Sequence, residues 1–258
     1  MQLHALPALS DNYIWLVRSA TGALVVDPGD AAPVLHAADA GGFAVDAVLL
    51  THHHHDHIGG AARLRARWPA IAVLAPHDER IEVATQRVAD GDSVRAAGLH
   101  FDVIAVPGHT TSHVAFFHDG PAERLLFCGD TLFSLGCGRL FEGSAAQMHD
   151  SLSRLAALPG STRVCCGHEY TLSNAAFARV VDPDNQALRR RTEEAQAMRD
   201  QSRPTLPSTI ARERAGNPFL RVDTPAVRAA VAARLGREPD DRVETFAELR
   251  RWKDGFRA

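Results

Sequence analysis

The run Thr51-His52-His53-His54-His55-Asp56-His57-Ile58-Gly59-Gly60 constrains this chain more than any other feature. The apolar stretch Ala47 to Leu50 leads straight into it. Such a stretch reads as a buried strand, and strand ends are where loops present chemistry. In extended chain, residues two apart face the same side, about 7 Å apart at the backbone. His52 and His54 can therefore converge on one ion. Asp56 and His57 follow, and a turn into a helix through Gly59-Gly60 aims them at a second ion nearby. His53 and His55 alternate to the opposite side. A histidine affinity tag sits at a terminus, whereas this run is internal and continues into Asp-His-x-Gly-Gly.

Further donors stand at other strand ends. Val103 to Val106 runs into Pro107-Gly108-His109, Leu125 to Cys128 into Gly129-Asp130, and Val164 to Cys166 into Gly167-His168. Glycine lets the backbone turn sharply and removes bulk beside a site. The candidate metal ligands are thus His52, His54, Asp56, His57, His109, Asp130 and His168. Five imidazoles and two carboxylates suit zinc, iron or manganese rather than calcium. Seven donors exceed one tetrahedral ion, and a carboxylate can bridge two; Asp130 is assigned that role. Two ions about 3.5–4 Å apart can share a water whose pKa falls towards ~7.

The chain has 258 residues, 45% of them hydrophobic, enough for one large domain or two smaller ones. A net charge of −3 argues against a nucleic-acid or membrane-surface role. The first residues, Met1 to Pro7, show neither a basic region nor a long apolar stretch, so neither signal peptide nor membrane span is expected. Cys128, Cys137, Cys165 and Cys166 form no CxxC pair, and a reducing cytoplasm is the expected compartment. Cys137, between two glycines, is the one thiol expected to be exposed. Cysteine nucleophilic catalysis competes only weakly with the metal chemistry.

Short apolar runs at 13–17, 23–26, 47–50, 71–74, 99–106, 113–117, 125–128 and 163–166 read as strands. Residues 59–68 and 144–158 read as helices. From about Tyr170 the texture changes. Residues 174–203 and 224–252 read as helices joined by a Pro-rich segment, 203–218. The expected layout is an α/β domain followed by a smaller helical region.

These segments resemble the metallo-β-lactamase superfamily, whose signature is T-H-x-H-x-D-H-x-G-G. Within it, the glyoxalase II (hydroxyacylglutathione hydrolase) family is similar over nearly the whole chain. The likeness includes Asp11-Asn12-Tyr13, Val26-Asp27-Pro28-Gly29, Phe127 to Phe133, Gly136-Cys137-Gly138-Arg139, Gly143, Gly167 to Thr171 and the tail Arg250 to Asp254. The signature alone specifies the fold; the later segments point to the substrate. The resemblance implies an αββα sandwich over residues 1–168 and a helical glutathione-binding domain over 169–258. It implies one ion on His52, His54 and His109 and another on Asp56, His57 and His168, with Asp130 bridging. Asp56 would also orient the nucleophile. Asp27 is either an outer residue orienting a ligand or a turn residue before Pro28-Gly29.

The family's glutathione-binding positions map onto Arg139, Tyr170, Arg250 and Lys253. Some members have Tyr two residues after the arginine; Phe141 here lacks that hydroxyl. Lys253 also stands out by itself, as the one lysine among 28 Lys+Arg residues. A flexible ammonium binds a carboxylate as a point charge, so Lys253 with Arg250 is expected to hold the glycine carboxylate of glutathione. The implied reaction is hydrolysis of S-(2-hydroxyacyl)glutathione, S-D-lactoylglutathione foremost, in methylglyoxal detoxification. Two divalent ions, zinc ahead of iron or manganese, and a monomer are expected. The alternatives are a glutathione persulfide dioxygenase or another thioesterase of the superfamily, and a non-catalytic metal store built on the His run.

Overall fold

A computed structural model describes residues 1–257 of the chain. They divide into two compact units. The first comprises residues 1–105, 112–129 and 165–169, and the second residues 106–111, 130–164 and 170–257.

The first unit is built on two sheets. One has the order β1 (Gln2–Ala8), β2 (Asn12–Arg18), β3 (Ala23–Val26), β4 (Ala47–Leu49), β5 (Ala72–Pro76), β6 (Gln86–Val88). β1, β2 and β3 pair antiparallel, and β3 to β6 run parallel. The parallel strands need crossovers. These are supplied by α1 (Ala32–Gly41) and by the pair α2 (His55–Ile58) and α3 (Ala61–Arg67). Val25, Val48 and Val73 pack against Val34 and Leu64 of the helices. The alternate residues Leu24, Val26, Leu49 and Leu74 are equally buried. Burial on both faces makes these strands continuous apolar runs, which is why they were legible in the sequence. The second sheet of this unit is a meander, β7 (Ser93–Ala96), β8 (Leu99–Ala105), β9 (Val114–Asp119) and β10 (Arg124–Gly129). Trp15 Nε1 donates to the Cys166 carbonyl at 2.9 Å, a direct bond from β2 to the 165–169 segment of the same unit.

The second unit opens with a hairpin, β11 (Leu132–Phe133) and β12 (Gly136–Cys137), followed by α4 (Ala145–Ala156). Ser144 and Gln147 close a reciprocal capping box at the start of α4, as the 144–158 reading anticipates. The strand β13 (Arg163–Cys166) follows, then α5 (Thr171–Val181) and α6 (Gln186–Asp200). The Pro-rich stretch 203–218 is more than a connector. It contains β14 (Ser208–Thr209), paired with Arg163 and Val164, and α7 (Ile210–Gly216), capped by Thr209. Its pairing partner lies some 45 residues upstream, beyond the reach of a local reading. The chain ends with α8 (Pro225–Leu235) and α9 (Arg242–Gly255). Among the described residues, no helix is long and apolar enough to cross a membrane.

Candidate active site

β4 delivers the chain to the histidine run. His54 has extended backbone and caps α2, so Asp56 and His57 belong to the helix itself. The helix read over 59–68 is α3, and the short α2 ahead of it is an addition to that reading. The loop is seated by Gly29, where an added Cβ would collide with the Asp56 carbonyl. His53 turns away, with Nδ1 3.4 Å from Asp78 Oδ2. His55 is exposed. His53 lies off the donor cluster, as alternation in the extended segment requires, while His55 is directed away by its place at the start of α2.

Hydrogen-bond logic assigns the imidazole nitrogens. Asp27 sits at φ 51°, a left-handed position that aspartate tolerates. Its carboxylate accepts from Thr51 N (2.8 Å), from the Thr51 hydroxyl (2.7 Å) and from His57 Nδ1 (3.0 Å). Because the Thr51 hydroxyl spends its proton on Asp27, it accepts from His52 Nδ1 at 3.0 Å. His52 and His57 are thereby both left with an Nε2 lone pair. Asp27 is at once the turn residue and the group that orients His57 and, through Thr51, His52, so the two readings of it do not compete. Behind His52 lies a residue absent from the sequence-derived set: His113 is buried, with its ring stacked 4.6 Å from His52 at 15°. Only its place four residues after His109 could have drawn notice.

Two donor groups form in this unit. His52 Nε2 and His54 Nδ1 lie 3.1 Å apart, a spacing that two nitrogens each about 2.0–2.1 Å from one zinc can take. Asp56, His57 and His168 form the other, with Asp56 Oδ2 3.5 Å from His57 Nε2 and 3.4 Å from His168 Nε2. Burial works to raise the Asp56 carboxyl, but the His168 and His57 imidazoles hold it far below the usual carboxylate range. These His/Asp clusters support a dinuclear metal site. The donors suit a borderline cation, with imidazole nitrogens outnumbering oxygens.

The second unit holds the remaining candidates around one cavity of about 460 Å³. His109 Nδ1 donates to the Arg139 carbonyl at 2.9 Å, which leaves Nε2 for its other neighbour, Asp130 Oδ2 at 3.5 Å. Gly138 permits this, since a Cβ there would strike the Asp130 carbonyl. The cavity is lined by His109 and Asp130 together with Arg139, Tyr170, Arg250 and Lys253. Lys253 is half-buried and donates to the Ser173 carbonyl at 3.2 Å. Burial lowers its pKa, and the nearby Arg250 and Arg139 lower it further. Arg250 is committed elsewhere, to the Cys137 carbonyl (2.9 Å) and Asp254 (2.9 Å). Phe141 is 63% exposed, its ring 5.2 Å from that of His109. Cys137 departs from expectation. It is buried, and burial pushes its thiol up to about 11 despite Arg250. The flanking glycines allow close packing rather than exposure: a Cβ on Gly136 would strike the Asn174 side chain and one on Gly138 the Asp130 carbonyl.

Comparison with known proteins divides the chain by sequence near residue 168, whereas the compact units place 106–111 and 130–164 with the C-terminal residues. Residues 9–168 match the family model of the metallo-beta-lactamase superfamily. Residues 169–256 match that of the hydroxyacylglutathione hydrolase C-terminus. A hydroxyacylglutathione hydrolase from Xanthomonas campestris pv. campestris is 60% identical over the full length of both chains. Among solved structures, ETHE1 from Myxococcus xanthus superimposes with TM-score 0.64 at 25% identity, covering 99% of this chain and 91% of that one. TTHA1623 in a di-iron-bound form gives TM-score 0.55 at 29% identity, over 65% of this chain and 92% of that one.

Proposed function

The chain belongs to the metallo-β-lactamase superfamily and, within it, to the hydroxyacylglutathione hydrolases, and from that membership we propose how its residues hydrolyse S-(2-hydroxyacyl)glutathione. The enzyme is a thioester hydrolase acting on a small glutathione thioester, with S-D-lactoylglutathione as the foremost substrate and methylglyoxal detoxification as its role. The dioxygenase alternative is not favoured, because full-length relatives and the C-terminal family model both bear the hydrolase name. The observation that carries the reading is the shared cavity. Metal-type donors, His109 and Asp130, and a cationic wall, Lys253 with Arg139, face the same space. A substrate with a carboxylate at one end and a reacting carbonyl at the other suits that arrangement.

The proposed ligand set is His52, His54 and His109 for one ion and Asp56, His57 and His168 for the other, with Asp130 shared. Zinc is the proposed metal, with iron or manganese also compatible with these donors. A bound metal pair supplies a nucleophile from water at neutral pH and polarises the thioester carbonyl. The protein's own residues do the rest. Asp27 holds His57, and through Thr51 also His52, in the tautomer that presents Nε2. Lys253 and Arg139 bind the glycine carboxylate, and Tyr170, placed on the cavity wall against the Phe133 ring, borders the peptide. Arg250 acts by shaping the wall, since its guanidinium already spans Cys137 and Asp254. Asp56 orients the attacking water. Water oxygen adds to the carbonyl carbon, the C–S bond breaks, and glutathione departs as a thiolate. Its thiol has a pKa near ~8.5, so departure needs no strong acid. A monomeric cytoplasmic enzyme is proposed on the same family grounds. The direct test is loss of thioester absorbance with S-D-lactoylglutathione, before and after a chelator. Activity that survives complete metal removal would overturn the metal-centred reading.

A further inference from the structure

The turn between β1 and β2 brings a three-residue segment, Asp11-Asn12-Tyr13, against the second donor group. Asp11 Oδ1 lies 2.7 Å from His168 Nδ1. Asn12 Nδ2 donates to Asp56 Oδ2 at 3.0 Å and to the Asp56 carbonyl at 3.2 Å. The Tyr13 hydroxyl donates to Glu169 Oε2 at 2.9 Å. The backbones are already joined without these side chains: Glu169 N donates to the Asp11 carbonyl (2.9 Å) and Tyr13 N to the Gly167 carbonyl (2.8 Å). Main chain alone therefore docks this segment on residues 167–169, and the side chains of Asp11 and Asn12 are available for another task.

We propose that Asp11 and Asn12 are positioning residues for the Asp56–His57–His168 half of the metal centre, Asp11 fixing His168 and Asn12 fixing Asp56. The inference rests on the dinuclear reading above. A carboxylate accepting from Nδ1 fixes the histidine tautomer with its lone pair on Nε2, orients the ring and raises its basicity. His168 Nε2 is the nitrogen that faces Asp56 Oδ2. Asn12 does the corresponding work on the carboxylate. An ionised aspartate only accepts, so the Asn12 amide nitrogen must face it. An amide donor fixes the rotamer while leaving the negative charge of Asp56 for a cation; a cationic side chain there would compete with the ion. The segment thus does for His168 and Asp56 what Asp27 does for His52 and His57, from a different strand.

The test is metal retention by the full-length enzyme with Asp11→Ala, alongside Asp11→Asn. Asp11 is 38% exposed, so truncation leaves little void. Both proteins are loaded with zinc and dialysed against graded chelator, and bound metal is counted. Wild type is expected to keep about two equivalents. Asp11→Ala is expected to release one of them at roughly 10- to 100-fold weaker chelation, the usual effect of removing a histidine's outer partner. Asp11→Asn keeps an acceptor and is expected to fall between, with KM for the thioester unchanged and kcat reduced in both. With cobalt in place of zinc, the visible spectrum of one site changes and that of the other does not. Retention of both equivalents at wild-type affinity by Asp11→Ala overturns the proposal, and if that variant does not fold, the same result with Asp11→Asn does so. Wild-type protein that never holds a second equivalent overturns the dinuclear reading itself, and this inference with it.

Discussion

Replacing Lys253 by methionine removes the cavity's half-buried ammonium while keeping an unbranched stem of similar length. The stem matters, because Nζ lies 5.7 Å from the Phe177 ring and 5.8 Å from that of Phe256. An exposed ion pair contributes at most about 1 kcal/mol. A hydrogen bond to a charged group contributes about 1.5–3 kcal/mol. On the proposed contact, a partly desolvated Lys253 shares the carboxylate with Arg139, which places its contribution near the lower end, about 1.5–2 kcal/mol. At 1.4 kcal/mol per decade, KM for the glutathione thioester should rise about 10- to 30-fold. The contact is made equally in ground and transition states, so kcat should stay within about two-fold. pH dependence gives an independent check. Binding requires the ammonium, whose pKa is lowered by burial and by Arg250 and Arg139. The ammonium fraction falls as pH rises through that lowered value, so wild-type KM should climb with pH before the ordinary lysine range is reached. Lys253→Arg, charged throughout, should flatten that limb. Steady-state kinetics by thioester absorbance across pH measures both effects. A methionine variant with wild-type KM, or one that loses kcat with KM intact, would refute the assignment.

Glu213 gives a stability prediction. Fully buried, it accepts from Leu135 N at 2.7 Å and Asn217 Nδ2 at 3.2 Å and bonds the Ser208 hydroxyl. Burial raises its pKa against those bonds. A raised folded-state pKa means that this group's stabilisation is full below the unfolded value of about 4.3 and is lost as pH rises through the folded one. Glu213→Gln should therefore melt as high as wild type or higher at pH 8, with the advantage vanishing in acid, whereas Glu213→Ala should lose about 2–5 kcal/mol. Thermal melts at two pH values decide it. None of the four cysteines is disulfide-bonded and all are buried, so a disulfide-exchange reagent at neutral pH should find no fast thiol in the native enzyme. A Cys137 that reacts at the rate of an exposed thiol would contradict the burial that pushes it to about 11.

The sequence by itself singled out the candidate donors, because metal chemistry restricts which residues can serve and strand ends restrict where they stand. Leu49-Leu50 and Cys165-Cys166 are apolar and short, and Gly108, Gly129 and Gly167 mark where three strand ends give way to the candidate donors His109, Asp130 and His168. It also singled out Lys253, as a lone ammonium among arginines. What it left open was decided by contacts between residues far apart in the chain. Asp27 reaches Thr51 and His57, Asp11 reaches His168, and Asn12 reaches Asp56. No periodicity encodes such pairings, since a hydrogen bond across 157 residues has no local trace. The same reason explains the misreadings. Cys137 is buried by Arg250 from the far end of the chain, and the short strand Ser208–Thr209 exists because Arg163 and Val164 pair with it. Residue chemistry can be read along the chain; the orientation that makes imidazole a ligand is fixed only when the second partner arrives by folding.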